Sequence, residues 1–295
     1  MIQEDKDILT EAYIDVVQRS QLPDWTIAAV GNNNHTLDLE EAIQYFNQPV
    51  DIILENSLND RYFLNAIIKN LDKDKSKKIS KHIENRWVII SNAGGATNIK
   101  NCIEEKKQSF DSLAQTKNRG KSFYLRLFVL VDSDRKYISN SQPGKQTKER
   151  DILAEYLKNE MISFHFLFKR EMENYIPNEV LEDFKSMDTF IECYLNLSED
   201  QKDFFDLQKG FINNKTDKSL DEDFRSFYGS VSDKDWKILK NGIQLEPYAK
   251  SFKSEFPKLF EHEKVTQETL LTRTKHQQQQ SNELQEILDK IRKLL

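Results

Sequence analysis

Leu125-Arg126-Leu127-Phe128-Val129-Leu130-Val131-Asp132-Ser133-Asp134 contains the most apolar run of the chain, Leu127 to Val131, and stops on two acids. A short run of this kind, rich in branched residues and without polar alternation, reads as a strand buried on both faces, which places it in the middle of a parallel sheet. Similar runs lie on both sides of it. Upstream, Trp87 to Ile90 ends at Ser91-Asn92-Ala93-Gly94-Gly95, and Val50-Asp51-Ile52-Ile53-Leu54, introduced by Pro49, ends at Glu55. Downstream, residues 162 to 168 (ISFHFLF) run into Lys169-Arg170-Glu171-Met172-Glu173-Asn174-Tyr175-Ile176-Pro177. Helical spacing fills the gaps at about 59–70, after Gly95, and at about 146–160 beyond Pro143-Gly144. Strands alternating with helices define an α/β fold, a parallel sheet flanked by helices.

The flanks are helical. Ile8, Leu9, Ala12, Tyr13, Val16 and Val17 predict an amphipathic helix that Pro23 ends, and another helix is expected at 38–46. Residues 1–48 thus form a helical N-terminal lead-in, 49–185 the α/β domain, and 186–295 a mostly helical C-terminal region anchored by aromatics such as Phe204, Phe205, Phe224 and Trp236. Leu284, Ile287, Leu288, Ile291, Leu294 and Leu295 make a stripe at three- and four-residue spacing. Such a stripe buries against its own domain or against a partner, including a second copy of the chain in a homodimer.

The 295 residues carry 43 basic and 49 acidic side chains, a formal charge of −6, which excludes a uniformly positive nucleic-acid-binding face and requires any polyanion to meet a local basic patch. Cys102 and Cys193 stand far apart without ligand-spaced neighbours, so neither a disulfide framework nor a thiolate zinc site is indicated. The first residues are acidic and lack an apolar signal core, and no segment is long and apolar enough to span a bilayer; a soluble, cytoplasmic protein without membrane partners is expected.

In a parallel α/β sheet, ligands gather beyond the carboxyl ends of the strands. Acids stand at three of those ends: Glu55, then Asp132 with Asp134, then Glu171 with Glu173. Clustered carboxylates repel one another unless a cation neutralises them, and hard oxygen ligands suit Mg2+ or Mn2+. Asp132 and Asp134 can share such a site only if the strand gives way to a bend at Ser133. A lone Asp-x-Asp is often accidental, and a strand-end Asp often only caps a helix; the combination carries the weight. His165, amid alternating aromatics, reads as a packed residue. Gly120-Lys121-Ser122 is not a phosphate loop, because it precedes a strand instead of following one.

Ile52-Ile53-Leu54-Glu55 with Asp60-Arg61-Tyr62-Phe63-Leu64, Gly94-Gly95, Val129-Leu130-Val131-Asp132-Ser133-Asp134 and Arg170-Glu171-Met172-Glu173-Asn174-Tyr175 together resemble the TOPRIM family, over about 130 residues. The likeness is to nucleases of the overcoming-lysogenization-defect type and to stand-alone TOPRIM proteins of anti-phage systems such as PARIS. The resemblance implies a TOPRIM-like sheet and metal-dependent cleavage of DNA or RNA, as a defence effector working with a separate ABC-type ATPase. It makes Glu55, Asp132, Asp134, one of Glu171 and Glu173, and more weakly Asp60 the ligands of one or two Mg2+ or Mn2+ ions. In this chain Asn56 follows Glu55 where the family usually has Gly, and Asp60 lies five positions on instead of four. That departure keeps open a second reading, a catalytically inert subunit that binds nucleic acid or a partner.

Lys169 and Arg170 are candidates to neutralise a scissile phosphate, Lys169 as a catalytic group, although isolated cations are often only solvated charges. Arg135, Lys136, Lys145, Lys148 and Arg150, following the Asp-x-Asp, make a candidate phosphate-tracking patch.

Overall fold

Pro49 ends the N-terminal segment, and the apolar run behind it becomes the first strand of the sheet. The structure is a computed structural model that describes residues 26–27, 36–73, 78–138, 148–211, 222–275 and 282–295. It divides into two compact units, residues 1–48 and 49–295. In the first, β1 (Thr26–Ile27) pairs in parallel with β2 (Thr36–Leu37), and α1 (Leu39–Phe46) follows. A reciprocal cap starts α1: Asp38 accepts the Glu41 N–H and Glu41 accepts the Asp38 N–H, each at 2.9 Å. The helix expected at residues 8–17 lies outside the described residues.

In the second unit, β3 (Val50–Leu54) leads through α2 (Asp60–Leu71) and α3 (Ile79–Glu84) to β4 (Val88–Asn92). The chain continues through α4 (Ala96–Gln108) and α5 (Asp111–Lys117) to β5 (Leu127–Val131), then through α6 (Lys148–Asn159) to β6 (Ser163–Phe166). The four strands are parallel in the order β4-β3-β5-β6. Beyond them come α7 (Asn178–Glu182), α8 (Thr189–Leu195), α9 (Glu199–Phe204), α10 (Glu222–Phe227), α11 (Asp233–Leu239), α12 (Tyr248–Glu255), α13 (Gln267–Thr274) and α14 (Glu283–Arg292). The architecture is therefore α/β, a four-stranded parallel sheet flanked by helices.

Alternation along the central strands sends their side chains into two cores. Ile53, Leu127, Val129 and Val131 face Ile99 and Ile103 of α4 and Leu153 and Leu157 of α6. Ile52, Leu54, Phe128 and Leu130 face the other way, joining Phe63, Leu64 and Ile67 of α2 and the C-terminal helices in one cluster. The stripe on α14 is buried within this unit: Leu284, Ile287, Leu288 and Ile291 are all 1 % exposed or less and pack against α2 and β6. Glu283, at the start of that helix, is buried and accepts the Phe168 N–H at 2.6 Å, lies 2.8 Å from His165 Nε2 and takes the Tyr175 hydroxyl. His165 is thus part of a packed polar network behind the strand.

The connection from β3 moves to β4 on one side of it, and the chain then returns to β5 on the other side. The sheet order reverses between β3 and β5, so the adjacent connections leave in opposite directions and open a crevice beyond the carboxyl ends of those two strands. Glu55 and Asp132 are the first residues past those ends. Among the described residues, no helix is long and apolar enough to cross a membrane.

Candidate functional site

A cleft of about 620 Å³ occupies that crevice. The sheet side supplies Glu55, Asp60, Asp132, Asp134, Glu171 and Glu173 together, with Arg170 beside them. All six carboxylates singled out in the sequence therefore reach one space, from the ends of β3, β5 and β6.

Local backbone geometry brings them there. Leu54 and Leu130 are paired across β3 and β5, which sets Glu55 and Asp132 side by side, and a Glu55 carboxylate oxygen accepts the Asp132 N–H at 3.1 Å. At Asp134 the chain turns in the left-handed region, φ 55°, and its N–H donates to the Arg170 carbonyl at 3.0 Å. Ser133 is buried, its hydroxyl donating to the Lys169 carbonyl at 2.6 Å. This is the bend the spacing required: the middle residue points inward and the two acids point out. Across the cleft, Gly95 has φ 116°, a conformation that disfavours a side chain, and its N–H reaches the Glu55 carbonyl at 2.8 Å. The two glycines after β4 thus let the chain turn tightly over the end of β3.

Each acid is engaged by a protein donor or crowded by other acids. Arg150, in the first turn of α6 and 4 % exposed, places Nη1 2.7 Å from Glu55 and Nη2 2.6 Å from Asp134. Asp132 accepts the Met172 N–H at 3.0 Å, and Asp60 accepts the Asn56 N–H at 2.8 Å. Glu171 caps the short 3-10 turn at Met172–Tyr175 and lies 3.2 Å from Arg170 Nε. Burial, with Glu171 close by, pushes the Glu173 carboxyl up to about 8. Burial also raises Asp60 and Glu171 to about 7, and lifts Asp132 well above the usual carboxylate range with Glu55, Asp60 and Glu173 adding repulsion. Glu55 is raised by burial and lowered, to a lesser degree, by Arg150.

The donor chemistry fits a hard divalent cation: among the described residues, several carboxylates, no thiol and no imidazole line the cleft. Their present directions do not form a ready-made cage, since among the described residues no three acid, His or Cys side chains stand together as a metal-holding group.

The cationic candidates divide differently. Arg170 lines the cleft, but its guanidinium is committed to Glu171, to Asp206 at 3.0 Å and to the Arg135 carbonyl at 3.3 Å. Lys169 is absent from the cleft wall. It is fully buried, paired with Asp203 and donating to the Arg273 carbonyl at 2.8 Å, so its place is in the core behind the cleft. Burial and the nearby Arg273 lower it to about 7 against the pull of Asp203. Arg135 is half-buried outside the cleft wall, with Nη1 3.4 Å from the Phe168 carbonyl. Lys136 is exposed beside a small separate cavity, Lys148 is exposed at the start of α6, and Lys145 lies outside the described residues.

Several cleft residues had no local sequence signal. Gln208, Lys209, Phe252 and Lys253 come from the C-terminal helical region. Asn92 lines the far side and accepts the Ser57 and Gly94 N–H groups at 3.1 and 3.2 Å. Arg150 had a signal, its place in the basic cluster, but not as the partner of the acids. No family model, no curated protein and no solved structure matches this chain.

Proposed function

We propose that the cleft binds Mg2+ or Mn2+ and hydrolyses phosphodiester bonds, making the protein a metal-dependent endonuclease of TOPRIM type. The observation that carries the reading is the meeting of Glu55, Asp132 and Asp134 beyond the ends of the two strands where the sheet order reverses, with Glu171 and Glu173 joining them. Glu55, Asp132, Asp134 and Glu173 are the residues assigned to hold the cation. Glu173 is preferred over Glu171, whose carboxylate is already paired with Arg170. A divalent ion supplies the positive charge that lowers the pKa of a bound water and stabilises an in-line phosphoryl transfer.

The chain's own residues orient that chemistry. The Met172 N–H holds the Asp132 carboxylate, and the Asp132 N–H holds Glu55, so the two acids are fixed by backbone amides of the 3-10 turn and of the end of β5. Lys209 and Lys253 also line the cleft, where ammonium groups suit the phosphates of a polyanion. The sequence resemblance extends the reading to a cytoplasmic anti-phage effector acting with a separate ABC-type ATPase.

The test is cleavage of plasmid DNA and of total RNA with Mg2+, Mn2+ or EDTA, comparing the wild type with Glu55→Ala and Asp132→Ala. Metal-dependent cleavage lost in both variants is expected; cleavage that survives EDTA and both substitutions would refute it. A second reading, an inert subunit that binds nucleic acid or a partner, is favoured by one feature, the ion pairs that Arg150 makes to Glu55 and Asp134. Metal binding by the purified chain separates the two.

A further inference from the structure

Arg150 is the cation in direct contact with two acids of the cleft. Its Nη1 meets Glu55 at 2.7 Å, its Nη2 and Nε meet the same Asp134 oxygen at 2.6 and 3.0 Å, and only 4 % of the residue is exposed. The other cations lining the cleft are engaged elsewhere or exposed: Arg170 is held by Glu171 and Asp206, and Lys209 and Lys253 are exposed. A guanidinium stays charged at all ordinary pH and binds carboxylates through a rigid fork, so it is a stable neutraliser of these two acids in the metal-free protein. It is also an obstacle. A small divalent ion takes carboxylate oxygens at about 2.0–2.2 Å, closer than the guanidinium nitrogens now stand, so it competes with Arg150 for the oxygens of Glu55 and Asp134. Arg150 gathers Glu55 and Asp134 on one guanidinium at the first turn of α6.

We infer that Arg150 is the resident counter-cation of the cleft, and that a divalent metal binds by displacing its side chain from Glu55 and Asp134. The inference rests on the metal-binding reading above. Arg150 is a positioning residue: it preserves an acidic site that would otherwise repel itself, and it sets a threshold for metal entry. The displacement needs only a change of rotamer in a long side chain in the first turn of a helix.

The experiment is Mn2+ titration of the purified full chain followed by the electron paramagnetic resonance signal of free Mn2+, with thermal melting in parallel, for wild type, Arg150→Gln, Arg150→Lys and Asp132→Asn. Removing the competitor should tighten Mn2+ binding by about tenfold, equivalent to about 1.4 kcal/mol, in Arg150→Gln. Arg150→Lys, which keeps the charge but not the fork, should fall between and preserves the test if the glutamine variant does not fold. The metal-free melting temperature of Arg150→Gln should drop, and Mn2+ should raise it more than in wild type. Mn2+ bound by wild type and lost in Asp132→Asn, yet no tighter in either Arg150 variant, would overturn the inference and leave the metal site standing. Absence of Mn2+ binding in wild type and in both Arg150 variants would overturn both.

Discussion

Replacing Asp203 with asparagine removes the carboxylate that Lys169 and Arg273 share in the core behind the cleft. Lys169, Asp203 and Arg273 are all 2 % exposed or less, and Arg273 Nη1 stands 2.7 Å from Asp203. Arg273 keeps Glu199 at 3.1 Å after the change, but Lys169 is left with the Arg273 carbonyl and no paired carboxylate. Breaking a buried pair by removing one member costs about 3–5 kcal/mol, and an amide retains one acceptor, so about 3 kcal/mol is expected. For a unit of this size that is a fall in melting temperature of about 6–12 °C. The pH dependence has a definite sign. Lys169 is lowered to about 7 in the folded protein, so between that pH and its unfolded value the unfolded chain binds the extra proton and stability rises with pH. Losing Asp203 removes the attraction that keeps the ammonium charged and lowers Lys169 further. The deficit of Asp203→Asn should therefore be larger at pH 6, where the lysine must carry its charge, than at pH 9. Urea unfolding at both pH values measures it. A variant within about 0.5 kcal/mol of wild type at pH 6, the range of an ordinary surface substitution, would refute the assignment of Lys169 to the core. Because Ser133 donates to the Lys169 carbonyl and the Arg170 N–H donates to the Asp203 carbonyl at 2.9 Å, loss of this node should also loosen the Asp-x-Asp bend.

The crowded carboxylates set a second pH dependence. Asp60 and Glu173, raised to about 7 and about 8 chiefly by burial, bind protons in the folded protein that the unfolded chain has already released above about pH 4.5; the metal-free protein should lose stability from pH 5 to pH 8, and a urea midpoint that rises over that range would contradict this. Leu288→Ala empties a fully buried position on α14 and should cost about 2–5 kcal/mol in urea unfolding; a change below 1 kcal/mol would mean that the stripe is not packed against its own unit. Gly242→Ala would put a methyl carbon 2.2 Å from the Gln208 carbonyl oxygen, at φ 70°. The loop carrying Gln208 and Lys209 must then shift, and weaker binding of a fluorescent single-stranded oligonucleotide is expected, whereas unchanged affinity would remove Lys209 from the binding wall.

The sheet was legible because its central strands are buried on both faces. Val50–Leu54 and Leu127–Val131 needed no alternation to be read, and their ends fell where Glu55 and Asp132 begin. The helix read at 59–70 spans Asp60–Leu71, and the segment at 146–160 holds a helix at Lys148–Asn159. The acids were legible for the same reason, since a parallel sheet sends all its strand ends to one edge. The cations were not. Lys169 and Arg170 are adjacent in sequence, yet backbone direction past β6 turns one into the core and the other toward the cleft. Arg150 was visible as one charge in a basic cluster, but its pairing with Glu55 spans almost a hundred positions and depends on where α6 packs. Lys209 and Lys253 reach the cleft through folding of the C-terminal helices onto the sheet's face, and no local pattern marks them.

The most direct measurement is manganese anomalous scattering from crystals of the full chain grown with MnCl2. The expected map has a peak in the cleft among Glu55, Asp132, Asp134 and Glu173, with the Arg150 side chain withdrawn from Glu55 and Asp134. Crystals saturated with Mn2+ that show no peak there, with Arg150 still paired to both acids, would contradict the metal-dependent reading of the site.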